Sequence, residues 1–355
     1  MGLSIISFTE NGMHLSIEIL EKLEKEEVAI YTKCSRAKET EILSFVQFVE
    51  QTIDNWTREQ MERKNSLLFI GACGIAVRAI APYIADKLQD SPVLVMDERG
   101  KYIIPILSGH VGGANEIAMQ IASKIGAIPV ITTATDINEK FAVDLFAKRN
   151  NLHIVNREGI AKVSSKVLAG KKITISIETG HFEKGSSFPK EIQIVSYPPK
   201  QSVDVVITTE ERKLDTLLFL KPKEYAIGMG CKKGKEIEKI EALIQKSLQK
   251  NSISKNQVFA LASKDCKKEE EGLLTLSKKE NIPFLTFTAK QLQKAKGTFQ
   301  SSDFVKEQVG VDNVCERAAF MACKGFGKLI YQKHAEDGIT IAIAKREWRV
   351  TFDEE

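Results

Sequence analysis

The stretch YIIPILSGHVGGANEIAMQIASKI, residues 102–125, decides the fold. Tyr102 to Leu107 is an apolar, strand-like run, and Ser108 to Asn115 carries three glycines and a histidine. Ile117, Ala118, Ile121, Ala122 and Ile125 then repeat at the spacing of one helix face. Strand, glycine turn and helix in that order form the unit of an α/β layer structure, whose ligands sit at the carboxyl ends of strands. Glycines admit a ligand close to backbone N–H groups, and a helix start adds partial positive charge. Gly109, Gly112 and Gly113 therefore read as a site for a carboxylate or phosphate. A tight strand-to-helix turn with a surface histidine explains the same residues, and the pattern leaves both readings open.

The same alternation extends in both directions. Toward the amino terminus, Leu3 to Phe8, Val28 to Tyr31 and Ser66 to Gly71 read as strands, and Glu39 to Arg63 as mostly helix, from the spacing of Ile42, Phe45, Val46, Val49 and Ile53. Gly71, Cys73 and Gly74 open a second glycine-rich helix start, one turn before Arg78. Val93 to Asp97 and Tyr102 to Leu107 flank an Asp97-Glu98-Arg99-Gly100 turn as a hairpin-like pair, and Pro129 to Thr133 reads as a strand with the polar residues Thr132, Thr133, Thr135 and Asp136 at its carboxyl end. Beyond Asp136 come two helices and four short strands separated by Gly, Pro and Ser, with no sharp functional residue. A last unit opens at Glu224 to Met229 and the turn Gly228-Met229-Gly230-Cys231-Lys232-Lys233-Gly234. In it, Ser263, Lys264 and Asp265 end a strand, and Asp312 or Asn313 caps a helix carrying Glu316 and Arg317. The expected architecture is α/β throughout: an amino-terminal layered domain (1–137), a small middle unit (138–221) and a carboxy-terminal domain (222–355).

Composition narrows the function classes. With 355 residues, two or three domains are expected, and 43% hydrophobic with 28% charged residues is the balance of an ordinary globular protein. A net charge of +4 is too small to argue for nucleic acid or an anionic membrane. No leader-like segment or bilayer-length apolar run is visible. The six cysteines are dispersed without a CxxC pair, so free thiols in a reducing cytoplasm are expected and a structural zinc site is not. Neither glycine turn fits GxGxxG or GxxxxGK[ST], which argues against a nucleotide-binding enzyme.

Taken together, FIGACGIAVRAIAPYIADK, VLVMDERGKYIIPILSGHVGGANEIA, PVITTATD, GMGCKKG, LASKDCKKEEEGLL and GVDNVCERAA resemble the CbiG family of anaerobic cobalamin biosynthesis, the cobalt-precorrin-5A hydrolases. The resemblance covers nearly the whole chain. It departs from the family where Lys232 and Lys233 stand in place of a usual Arg, and where Cys266 replaces an aliphatic residue.

The resemblance implies hydrolysis of the ring A δ-lactone of cobalt-precorrin-5A, with release of acetaldehyde and formation of cobalt-precorrin-5B. It implies no organic cofactor and no metal site, since cobalt arrives within the substrate. The implied partner is that small molecule; transient contact with neighbouring pathway enzymes and a homodimer stand beside it as expectations on which the sequence itself is silent, and from charge and composition neither nucleic acid nor membrane is expected. Such chemistry needs a base and oxyanion donors. His110 is the expected base, with Ser108 and Asn115 orienting water or donating to the oxyanion and Asp97 as the neighbouring acid. Gly71, Gly74, Arg78, Gly109, Gly112, Gly113, Thr132 and Thr133 are expected to hold substrate in the first domain. Gly230, Lys232, Lys233, Ser263, Asp265, Asn313 and Arg317 are expected to grip it in the last. A tetrapyrrole carrier without catalysis would use the same turns and tolerate loss of His110.

Overall fold

Leu3–Ser7 and Ser66–Ile70 are buried at every position, the mark of central strands in a parallel sheet covered on both faces. They belong to a computed structural model that describes residues 2–23, 28–36, 45–86, 89–183, 185, 187–297, 299 and 313–353. The chain is an α/β protein with two compact units, Met1–Lys140 and Phe141–Glu355.

The first unit runs β1 (Leu3–Ser7), α1 (Glu10–Leu23), β2 (Val28–Thr32), β3 (Val46–Phe48), α2 (Ile53–Glu62), β4 (Ser66–Ile70), α3 (Cys73–Ile80), β5 (Val93–Met96), β6 (Tyr102–Leu107), α4 (Ala114–Ile125), β7 (Ile128–Pro129) and α5 (Ala134–Ile137). Its sheet has the order β3-β2-β1-β4-β5-β6-β7. The strands from β3 to β5 run parallel, whereas β6 is antiparallel to β5 and β7 follows β6. The carboxyl ends of β6 and β7 therefore lie on the opposite edge of the sheet from those of β1, β4 and β5. Helix α4 forms because Ala114, Ala118, Ile121 and Ala122 fall on one face and join the core over Leu68, Leu94 and Ile103. It ends at Gly126, whose φ of +78° closes the last turn through its N–H to Ala122 O.

Part of the helix expected over 39–63 is instead a strand. Val46 is buried, Gln47 exposed and Phe48 half-buried, a period of two, and Val46 pairs with Ile30 on the neighbouring strand. The apolar spacing there fits both periods, and pairing with an open sheet edge selects the strand. Residues 37–44 lie outside the described residues. The strand expected over Pro129–Thr133 is only Ile128–Pro129, continued by one further bond from Val130 N to Ile103 O.

The second unit contains two sheets. The first comprises α6 (Val143–Arg149), β8 (Leu152–Ile154), α7 (Glu158–Leu168), β9 (Ile173–Ile177), β10 (Ile192–Val195), β11 (Val203–Ile207) and β12 (Thr216–Pro222), in strand order β10-β9-β11-β12-β8. The second comprises β13 (Tyr225–Cys231), α8 (Ile237–Lys250), β14 (Val258–Lys264), α9 (Glu271–Glu280), β15 (Phe284–Phe287), α10 (Ala289–Gln293), α11 (Val314–Ala322), β16 (Lys328–Glu336) and β17 (Ile339–Lys345), in order β15-β14-β13-β17-β16. Gly228 lets α11 lie on β13: a Cβ there would stand 1.8 Å from Cys315 O. After β17 the chain returns to the middle sheet. Trp348 stacks on His181 at 3.9 Å, and Phe352 packs on Phe146 at 4.6 Å. Among the described residues, no helix is long and apolar enough to cross a membrane.

Candidate functional site

The loop between β6 and α4 closes on itself. Ser108 turns the chain with a φ of +55°, a left-handed conformation that costs an L-residue roughly 1–2 kcal/mol. Ala114 N–H then donates to Ser108 O at 3.1 Å, Asn115 N–H to Gly109 O at 3.0 Å, and Gly113 N–H to His110 O at 3.0 Å. Gly112 is demanded by this closure, because a Cβ there would lie 2.4 Å from Ser108 Cβ and 2.7 Å from Ser108 O. Gly113 has a φ of +91°, and at Gly109 a Cβ would meet Asn115 Oδ1 at 2.7 Å. The glycines thus build the loop, and several N–H groups at the helix start are spent inside it. Ser108 Oγ is buried and bonds no described residue.

What the loop displays is His110. Its Nε2 lies 2.9 Å from Thr135 Oγ1 and 3.0 Å from Asp136 Oδ2. Asn115 Nδ2 donates to the same Asp136 oxygen at 2.6 Å and to Thr133 Oγ1 at 3.0 Å. The two elements meet because β6, α4 and β7 form one crossover unit, which sets the carboxyl ends of both strands on the same edge. Asn115 is the buried clasp: its backbone holds the loop and its side chain holds α5. A carboxylate only accepts hydrogen bonds, so its contact with Nε2 selects the tautomer with the proton on Nε2, and the lone pair of the neutral ring is then on Nδ1. The side chains of His110 and Asp136 are 14% and 32% exposed, sheltered yet within reach of a ligand. A carboxylate-oriented imidazole of this kind is equipped for general acid–base work. Thr132 is exposed on the same edge.

The other residues expected in the first domain lie elsewhere. Gly71, Gly74, Arg78 and Asp97 follow the carboxyl ends of β4 and β5, and the six residues of β6 put about 20 Å between that edge and His110. Asp97 closes the hairpin, its carboxylate accepting from Arg99 N at 2.9 Å and Tyr102 N at 2.6 Å. Glu98 accepts from Thr9 Oγ1 at 2.8 Å, and Arg78 Nη1 folds back onto Gly74 O at 3.2 Å.

In the second unit several expected ligand-binding groups serve the fold. Ser263 Oγ is buried and donates to Met229 O, while Asn313 caps α11 by accepting from Glu316 N at 3.0 Å. Asp312 lies outside the described residues. Arg317 donates to Leu292 O and Ala295 O and lies over the Phe299 ring. Gly230 O accepts from Thr340 Oγ1, and Asp265 Oδ1 accepts from Cys266 N. Lys232 and Lys233 remain exposed at the turn. Among the described residues, no group of three or more His, Cys, Asp or Glu side chains is placed to hold a metal ion.

Sequence reasoning singled out His110 and Asn115 but gave Asp136 and Thr135 no partner. The available signal was the crossover: two polar runs that each follow a strand of one parallel βαβ pair share an edge.

Comparison with known proteins gives three family models in chain order. They are described as Cobalamin synthesis G N-terminal over residues 55–136, Cobalamin biosynthesis central region over 141–222 and Cobalamin synthesis G C-terminus over 225–344. The chain is 31% identical to the cobalt-precorrin-5A hydrolase of Priestia megaterium, over 96% of this chain and 94% of that protein. It is 33% identical to the protein of the same name from Salmonella typhimurium, over 81% of this chain and 84% of that protein. It is also 31% identical to a probable cobalt-precorrin-5A hydrolase of Methanocaldococcus jannaschii, over 79% and 85%. With this similarity along its whole length, the chain belongs to the CbiG family of cobalamin biosynthesis.

Proposed function

We propose that the chain hydrolyses cobalt-precorrin-5A, opening the ring A δ-lactone and releasing acetaldehyde to give cobalt-precorrin-5B. Similarity to the named hydrolases over most of the chain supports the substrate. The observation that carries the mechanism is the His110 imidazole held 3.0 Å from the Asp136 carboxylate.

His110 takes a proton from water as the oxygen attacks the lactone carbonyl, and the acyl–oxygen bond breaks. Ring A gains a free acetate, and the two-carbon fragment gains a carbinol. Removal of the carbinol O–H proton lets its C=O form while the bond to the macrocycle breaks. That electron pair passes into the conjugated ring, which takes up a proton. The sum consumes one water and yields one acetaldehyde. Asp136 stabilises the imidazolium that forms on the way, and Thr135 and Asn115 hold the pair in register. Exposed Thr132 and the rim of the loop contact the carboxylate arms of the substrate on the same edge. Cobalt enters and leaves within the tetrapyrrole. Six free cysteines accord with a cytoplasmic setting.

The test is anaerobic incubation with cobalt-precorrin-5A, with acetaldehyde and corrinoid mass followed together. One acetaldehyde per substrate consumed is expected. Tight binding with no acetaldehyde would overturn the proposal in favour of a carrier.

A further inference from the structure

The middle sheet keeps one partly open face at its β8–β12 edge. Lys221 pairs directly with His153 across these antiparallel strands, and the ladder continues both ways, with Val155 N donating to Phe219 O at 3.0 Å and Lys223 N to Asn151 O at 2.9 Å. Side chains alternate between the two faces of a sheet, so Leu218, Leu220 and Pro222 turn to the buried side while Phe219, Lys221 and Lys223 share the other with His153 and Val155. All five are half-buried except Val155, which is 50% exposed.

Two ammonium groups and an imidazole thus gather on one face, since residues opposite each other in such a ladder lie about 5.5 Å apart. Their counter-charge is incomplete. Lys221 reaches Glu211 at 2.8 Å, a side chain 87% exposed. Among the described residues, no hydrogen bond or ion pair meets the side chain of Lys223 or of His153. Burial pushes the Lys223 ammonium down. Burial, and then the charges of Lys223, Arg157 and Lys221, push the His153 imidazole down. A cation drawn from water costs free energy unless an anion stands against it, and a ligand can supply that anion.

We propose that this face is a binding site for an organic polycarboxylate with an apolar body. One carboxylate accepts from Lys223 and His153, a second replaces the exposed Glu211 on Lys221, and the apolar body lies on Phe219 and Val155. The site lies wholly in the second unit and uses none of the residues proposed for hydrolysis.

The test titrates the full-length protein into uroporphyrin III, a fluorescent ring that carries eight carboxylates, and reads the dissociation constant. Saturable binding by the wild type is expected. Lys223→Met is expected to weaken it by about 10-fold or more, because a hydrogen bond between charged groups is lost, while Lys223→Arg keeps the charge and the affinity, and His110→Ala binds as the wild type does. No binding by the wild type, or the same affinity in Lys223→Met, would overturn the proposal. So would equal loss in both Lys223 variants, which marks a structural role, or loss in His110→Ala alone, which puts the ring on the β6–α4 loop. Displacement of the ring by inorganic phosphate at equal concentration would overturn it as well, since a bare anion gains nothing from Phe219 and Val155.

Discussion

Asp136 Oδ2 stands 3.0 Å from His110 Nε2, and the same oxygen accepts from Asn115 Nδ2 at 2.6 Å. Two donors therefore converge on one carboxylate oxygen, which fixes the ring far better than a single contact would. Replacing it by an amide keeps the size and removes the charge. Asp136→Asn is expected to lower kcat for acetaldehyde release by about 10²- to 10⁴-fold while KM stays nearly unchanged. Steady-state kinetics separates the two, and a pure KM effect would show that Asp136 binds substrate instead.

The glycine loop predicts a contrast between neighbours. Gly112→Ala drives a Cβ into the backbone carbonyl of Ser108, so it should cost roughly 1–3 kcal/mol and displace His110, reducing activity beyond the loss of stability. Gly113→Ala meets open space and bears only the strain of its positive φ, about 1–2 kcal/mol. Chemical denaturation alongside activity distinguishes the two variants.

In the last domain, Gly228→Ala places its Cβ against the Cys315 carbonyl and the Ala319 N–H, both backbone, and should prevent α11 from docking. Gly230→Ala meets the Thr340 hydroxyl, a side chain that rotates away. Soluble yield and melting temperature should fall sharply for the first and slightly for the second.

Acid sensitivity should concentrate in the second unit. Burial pushes Glu178 and Asp204 up, but the Thr208 hydroxyl and the Thr209 N–H and hydroxyl on Glu178, and Lys166 and Thr174 on Asp204, outweigh it and hold both carboxylates below their ordinary values. A depressed folded value means stability that is fully present above the unfolded values of 4.5 and 3.8 and lost as pH falls through the folded ones. Glu178→Gln should flatten the dependence of stability on pH below about 4.5, relative to the wild type, in urea melts run at successive pH values.

Much of this architecture is written locally. The helix face of Ile121 and Ala122, the buried run Ser66–Ile70 and the hairpin around Asp97 each follow from short-range periodicity and turn chemistry. The consequence of a local turn is not itself local. The hairpin around Asp97 reverses β6, and that reversal moves Gly71 and Arg78 to the far edge from His110, although the two glycine turns each read alike as helix starts after a strand. The partnership of His110 with Asp136 depends on the same crossover, and Val46–Phe48 became a strand because an open sheet edge was there to pair with. Nor does sequence reveal that the carboxy-terminal Trp348 and Phe352 finish the middle sheet's core rather than their own.

The central claim is that the histidine displayed by the loop moves the proton. Single-turnover acetaldehyde release by His110→Ala, with cobalt-precorrin-5A binding followed by corrinoid absorbance, tests it most directly. The account predicts binding close to that of the wild type and a rate at least about 10²-fold lower. Acetaldehyde release near the wild-type rate would contradict it and leave His110 as a residue that only holds the loop to Asp136.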